Sequence, residues 1–252
     1  MRKTLTVTAA AVLLAATGVA TTALSQNRAA VSANTKAALA DSGRPQADKD
    51  RDAVREPAEM LEWAGIKQGA IIAEMIPGGG YFTRIFAKAV GPNGHVYAFN
   101  NPPAAGRPAP AIAALAADPM YKGNVTAVLA SLTDMKAPRP VDVVWTSQNY
   151  HDLPLAARGP INEAAFKMLK PGGTYIVLDH SAIVGTGTFA AETGKHRIDE
   201  HHVKLEVMKA GFKLVGENNI LRNVKDERTS TVFEKALGRD TDQFVLKFQK
   251  PR

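Results

Sequence analysis

The chain has 252 residues, 45% of them hydrophobic, with 31 Lys and Arg against 24 Asp and Glu, a formal net charge of +7. That length and apolar fraction suit one sizeable globular domain and exclude a fibrous or largely disordered chain. There is no cysteine, which excludes a disulfide framework, a thiolate metal centre and a lipid-anchoring cysteine. The basic residues are scattered without interleaved aromatics, so the sequence argues against nucleic acid as a partner.

In chain order, Arg2 and Lys3 precede an Ala- and Thr-rich apolar run over residues 5–24, and Ala23-Leu24-Ser25 offers small residues for cleavage. This is the layout of a Sec-type signal peptide, expected over residues 1–25. The run approaches the ~20 residues that span a bilayer, but its composition is only weakly apolar, which favours cleavage over anchoring. The expectation is a periplasmic or secreted protein with no stable membrane association after cleavage. Residues 26–56 mix Ala, Ser, Asp, Lys and Arg without a clear period and read as a flexible or loosely helical N-terminal arm. The domain is expected over residues 57–252. It opens on a helix that starts at Pro57 and stops at Gly65, with Met60, Leu61, Trp63 and Ala64 on its apolar side.

Residues 70–80, Ala-Ile-Ile-Ala-Glu-Met-Ile-Pro-Gly-Gly-Gly, form the stretch around which the remainder is arranged. A short apolar run suits a buried strand. It is followed by a glycine turn, then by Phe82, Ile85, Phe86 and Ala89 at helical spacing. Such a strand–turn–helix unit lets backbone approach a ligand and aims free N–H groups at it. Further strands are predicted over residues 95–99, 125–129, 141–146, 174–178, 213–216 and 243–249. Helices are predicted over residues 110–117, 161–169 and 199–209. Strands alternating with helices imply a mostly parallel sheet covered on both faces. The last two strands lack a clear intervening helix, so the final strand is expected to run antiparallel.

The dinucleotide pattern Gly-x-Gly-x-x-Gly is absent. What stands instead, from Glu74 through Pro77-Gly78-Gly79-Gly80, resembles the first motif of the class I S-adenosylmethionine-dependent methyltransferases. Ile76 takes the place of that motif's first glycine. Lys170-Pro-Gly-Gly173 and Lys209-Ala-Gly-Phe212 resemble the turns before that family's fifth and sixth strands, in the same order. Within the family, the Pro77 to Thr83 run, Asn149-Tyr-His-Asp-Leu153 and His196-Arg-Ile-Asp199 are similar to an exported group of predicted methyltransferases. The resemblance implies an α/β, three-layer Rossmann-like methyltransferase fold with a seven-stranded sheet, S-adenosylmethionine as cofactor and a small-molecule substrate.

The resemblance also implies a site outside the carboxyl ends of the strands. Glu74, Pro77, Gly78, Gly79 and Gly80 would surround the methionine and ribose parts of the donor. Asn100 would meet the ribose hydroxyls and Ser131 the adenine, each where that family commonly has an acid. Asp134 reaches that region only if its loop shifts. Residues 148–152 would face the transferring methyl group. There His151 is the candidate general base, because its unperturbed pKa lies near working pH, and Tyr150 and Asn149 are candidates to orient the substrate. Asp152, His180 and His196 are candidate pocket residues, the loop between the two histidines being a possible lid. Structural readings compete: Asn149 and Asp152 suit capping positions, as does Asp199. No metal is expected, because His201 and His202 are adjacent and no His-x-x-x-His pair exists. A serine-hydrolase elbow and a phosphate-binding Gly-Lys-Ser/Thr loop are absent too. The two functional expectations are a methyltransferase and, as the alternative, an exported non-catalytic ligand-binding protein on the same scaffold.

Overall fold

The computed structural model describes residues 30–252. The expected signal peptide lies outside the described residues. Four helices precede the sheet: α1 (Ala33–Leu39), α2 (Gln46–Lys49), α3 (Asp52–Arg55) and α4 (Pro57–Ala64). The body then runs β1 (Ile71–Met75), α5 (Tyr81–Val90), β2 (His95–Asn100), α6 (Ala111–Ala117), β3 (Val125–Leu129), β4 (Val141–Ser147), α7 (Leu155–Met168) and β5 (Leu169–His180). It ends with α8 (Phe189–Glu192), α9 (Glu200–Lys209), β6 (Lys213–Asn218) and β7 (Gln243–Gln249). The seven strands form one sheet in the order β3-β2-β1-β4-β5-β7-β6. The first five are parallel, whereas β7 lies antiparallel between β5 and β6. This is the expected Rossmann-like α/β fold.

Alternation along the strands builds two cores. On β5, Ile176 and Leu178 point to one face, where Met60, Leu61, Phe82, Ile85 and Phe86 of the helices cover them. Tyr175 and Val177 point to the other face, against Ile161, Ala165, Val203 and Val207. A parallel sheet buried on both faces requires such near-continuous apolar strands.

Two expectations differ from the structure. Residues 30–56, expected within a flexible or loosely helical arm, form α1 to α3 and pack on the domain: Ala38, Arg44 and Arg55 are buried, and α1 lies on α5 with the Asn34 amide donating to the Ala89 carbonyl. The anchors are polar, Arg44 to Asp52 at 2.6 Å and the Tyr81 hydroxyl to Asp52 at 2.6 Å, and polar anchors leave no apolar period to read. Helix α7 also starts at Leu155, upstream of the expected 161–169, and carries Pro160. Pro160, its sixth residue, has no N–H to donate to the Ala156 carbonyl, so the helix continues past one missing hydrogen bond. No helix among the described residues is long and apolar enough to cross a membrane.

Candidate active site

The strand order reverses between β1 and β4, which leaves a crevice at their carboxyl ends. Two loops flank it, and both are held in unfavourable backbone. Ile76 has φ +50° and Gln148 has φ +59°. Positive φ at a β-branched residue is an outlier, and strain of this kind gathers at functional sites. Ile76 thus adopts the left-handed conformation that glycine would take at that position of the motif. The Asn149 amide helps hold it there, donating to the Ile76 carbonyl at 2.9 Å and to the Ser147 carbonyl at 2.6 Å.

A cavity of about 160 Å³ opens beside the glycine turn, lined by Ile76, Pro77, Gly78, Gly79, Tyr81 and Asn149 among others. A β-carbon at Gly78 or Gly79 would meet nothing within 4 Å. Their N–H groups find no acceptor among the described residues. This is a donor-lined opening able to take a polar ligand, and it accords with the role expected of the turn. Gly80 differs, because its φ of +84° serves the start of α5 and a β-carbon there would come within 2.4 Å of Leu115. Beneath the turn, Glu74 is buried and accepts a 2.6 Å hydrogen bond from the Thr83 hydroxyl. Burial pushes its carboxyl up to about 7, against the pull of Thr83 and the Arg55 charge.

Asn100 and Ser131 stand at the same end of the sheet but do not line this cavity. Ser131 is exposed and shares a hydrogen bond with Thr133. Tyr150 is turned away from the crevice. It is fully buried, donates to Glu206 at 2.9 Å and accepts from Asn162 at 2.8 Å, and burial drives its pKa well up. That places it as a core support, and the expected substrate-orienting role does not follow from its position.

His151 forms a buried dyad with Asp179. Both its backbone N–H and its Nδ1 meet the carboxylate, at 2.8 and 2.7 Å. Burial alone would lower the imidazole pKa, but the Asp179 charge and hydrogen bond raise it above the ordinary histidine value. Asp179 is correspondingly held low, its own burial being outweighed by His151. In the sequence Asp179 directly follows the strand expected over residues 174–178, and only the fold brings it to His151. The signal available was an acid at the end of an otherwise apolar strand. The His151 ring lines neither cavity, and stands 5.8 Å from the ring of His180. His180 does reach a cavity. Its Nδ1 lies 2.6 Å from the Thr241 hydroxyl, and burial lowers its pKa to about 4, which leaves it neutral.

On its other side His151 meets His196 and Asp152. His151 Nε2 lies 3.3 Å from His196 Nδ1 and 3.3 Å from Asp152, and His196 Nδ1 lies 3.0 Å from Asp152. The three donor atoms are close enough to hold a metal ion. Hydrogen bonds alone also account for these separations. His201 and His202 stand side by side on α9. The fold instead assembles a trio drawn from two distant segments. The 181–199 loop carries α8 and is tied down where Ser181 pairs with Ile198 and Asp199 accepts from the Gly185 N–H.

A second cavity, of about 260 Å³, adjoins the first and is lined by Arg51, Val54, Arg55, Gln148, His180, Val232, Phe233 and Arg239. Arg51, Arg55 and Gln148 line both cavities, so the two meet at these side chains. Both arginines come from the N-terminal helical segment, within the stretch expected as an arm.

No family model matches the chain, and no curated protein does. Solved structures do. A SAM-dependent methyltransferase from Aquifex aeolicus superposes with a TM-score of 0.57 at 18% identity, covering 82% of this chain and 98% of that one. The 1,6-didemethyltoxoflavin-N1-methyltransferase of Burkholderia thailandensis, solved with 1,6-didemethyltoxoflavin and S-adenosylhomocysteine, gives 0.55 at 16% identity over 81% and 80%. The 4+2 cyclase SpnF gives 0.57 at 13% identity over 84% and 85%. At these identities the likeness establishes the fold, and the cyclase illustrates that this fold does not fix one reaction.

Proposed function

We propose that the protein is an exported S-adenosylmethionine-dependent methyltransferase acting on a small molecule. The observation that carries the reading is the cavity at the β1–β4 reversal, with the unsatisfied Gly78 and Gly79 amides on its wall and the buried Glu74 beneath. The open space over Gly78 and Gly79 suits a bound donor, because nothing but a missing side chain keeps it clear. When bound, S-adenosylmethionine supplies a methyl group on a positively charged sulfur. The glycine turn and Asn149 would hold the donor and fix its orientation, and positioning supplies much of the rate in such a reaction. An acceptor would sit in the adjoining cavity, in reach through Gln148 and Arg55. His151, which Asp179 keeps basic, would be the final acceptor of a proton released there, its ring standing 5.8 Å from that of His180 on the cavity wall. Export is supported by the leader-like composition of residues 1–25.

The test is calorimetry of the protein with S-adenosylmethionine and S-adenosylhomocysteine. Micromolar binding is expected in the native sequence and its loss in Gly78→Val, whose side chain would enter the cavity from a backbone already at φ +57°. Absence of binding at millimolar ligand by a folded protein would overturn the donor assignment and leave ligand holding without transfer.

A further inference from the structure

Among the described residues, each buried arginine but one has a carboxylate at ion-pair distance. Arg44 meets Asp52 at 2.6 Å, Arg197 meets Asp226 at 2.8 Å, and Arg158 has Glu206 within 3.8 Å. Arg55 is the exception. Only 8% of its surface is exposed, yet its guanidinium has only neutral hydrogen-bond partners, the Ser147 hydroxyl at 3.1 Å and the Gln148 carbonyl at 2.6 Å. It stacks over the Tyr81 and Phe82 rings, 4.5 and 5.1 Å from their centres. Glu74 feels its charge but forms no ion pair with it. Burial and the neighbouring Arg51 lower the Arg55 pKa to about 10, so the group remains cationic at neutral pH. Glu74 and Asp48 act on it only at longer range, and a buried cation without a direct ion pair is costly, a cost that an anionic ligand would offset.

The larger cavity provides the place. Arg51, Arg55 and Arg239 line it, and no carboxylate does. Neither Arg51 nor Arg239 makes an ion pair among the described residues. His180 is neutral and adds no charge. The other walls, Val54, Val232 and Phe233, are apolar, and Phe233 stands 72% exposed at the rim with its ring against His196. The volume of about 260 Å³ falls just under the range of drug-sized pockets, which restricts the occupant to a small molecule.

We infer that this cavity binds a small organic anion, a carboxylate on an apolar body, with Arg51, Arg55 and Arg239 holding the charged end and Val232 and Phe233 the apolar end. Guanidinium groups match a carboxylate with paired hydrogen bonds, which gives both affinity and orientation. That this anion is the methyl acceptor rests on the proposed methyl transfer. The anion site itself does not.

Benzoate and its neutral counterpart benzamide, each titrated into the full chain at fixed ionic strength, test the inference, with S-adenosylhomocysteine titrated into the same preparations. Benzoate is expected to bind at least tenfold more tightly than benzamide. Arg239→Gln, at an exposed position that leaves folding intact, is expected to remove that preference while S-adenosylhomocysteine binding stays within twofold. Equal binding of the two probes, or binding of neither, overturns the inference. So does a result in which Arg51→Gln and Arg239→Gln weaken S-adenosylhomocysteine and spare benzoate, because the guanidiniums would then serve the donor's own carboxylate. Failure of S-adenosylhomocysteine to bind, with the benzoate preference intact, would sink the methyl-transfer reading and leave the anion site standing.

Discussion

The chemistry of single residues here is governed by burial, and Glu74 is the clearest case. Its carboxyl is raised from 4.5 to about 7 chiefly by burial. Between those values the unfolded chain loses the proton while the folded chain keeps it, so each step up in pH across the window favours unfolding. At about 1.4 kcal/mol per pH unit this amounts to about 3 kcal/mol. Glu74→Gln removes the titration, so its stability relative to the native sequence should improve by up to about 3 kcal/mol from pH 4.5 to 7, as denaturant unfolding at both pH values would measure. A flat difference would refute the assignment. His151 carries a second, kinetic prediction. It accepts a proton only when neutral, and Asp179 raises its pKa. The proposed methyl transfer should therefore quicken as pH rises through a midpoint above 6.5. Asp179→Asn should move that midpoint downward, since the raising charge is gone, and His151→Ala should cost roughly 100-fold or more in rate with donor affinity unchanged.

At the scale of elements, the glycine turn separates two kinds of position. Ile76 bears left-handed strain of about 1–3 kcal/mol, with its half-buried side chain packed beside the second core. Ile76→Gly relieves that strain but loses packing and gains freedom in the unfolded chain. These effects nearly cancel, so its stability should lie within about 1 kcal/mol of the native protein. Gly80→Ala lacks any such compensation. It puts a side chain at φ +84° and drives a β-carbon towards Leu115, for an expected loss of about 1–3 kcal/mol. Thermal unfolding of both variants tests the pair, and equal losses would contradict the geometry.

For the whole molecule, α1 to α3 complete the site as well as the body. They bring Arg51 and Arg55 to both cavities and bridge the glycine turn, with Arg84 meeting Asp48 at 2.9 Å and Tyr81 meeting Asp52. A chain lacking residues 1–56 would uncover Tyr81 and Phe82 and remove those anchors. Its unfolding midpoint should fall by roughly 5 °C or more, and its binding of donor product should weaken. An unchanged midpoint would return the segment to the status of a dispensable arm.

The sheet was legible in the sequence because its strands are continuous apolar runs bounded by Gly, Pro and Asn, a local signal that survives without neighbours. Strand seven matches at both ends, as does strand three, and the antiparallel closing strand followed from the missing helix before it. The glycine turn was legible for the same reason, down to the one place where Ile76 keeps a glycine's backbone. Tertiary structure alone decided the rest. Whether a polar side chain faces a cavity or a core depends on neighbours hundreds of atoms away along the chain. So Tyr150 turned inward to Glu206, His151 found Asp179, and Arg55 was left charged between two cavities. The N-terminal helices escaped sequence reading because they are short and fixed by ion pairs and hydrogen bonds across the fold. Hydrophobic periodicity reports what an element buries, and it is silent about contacts that only a distant carboxylate can complete.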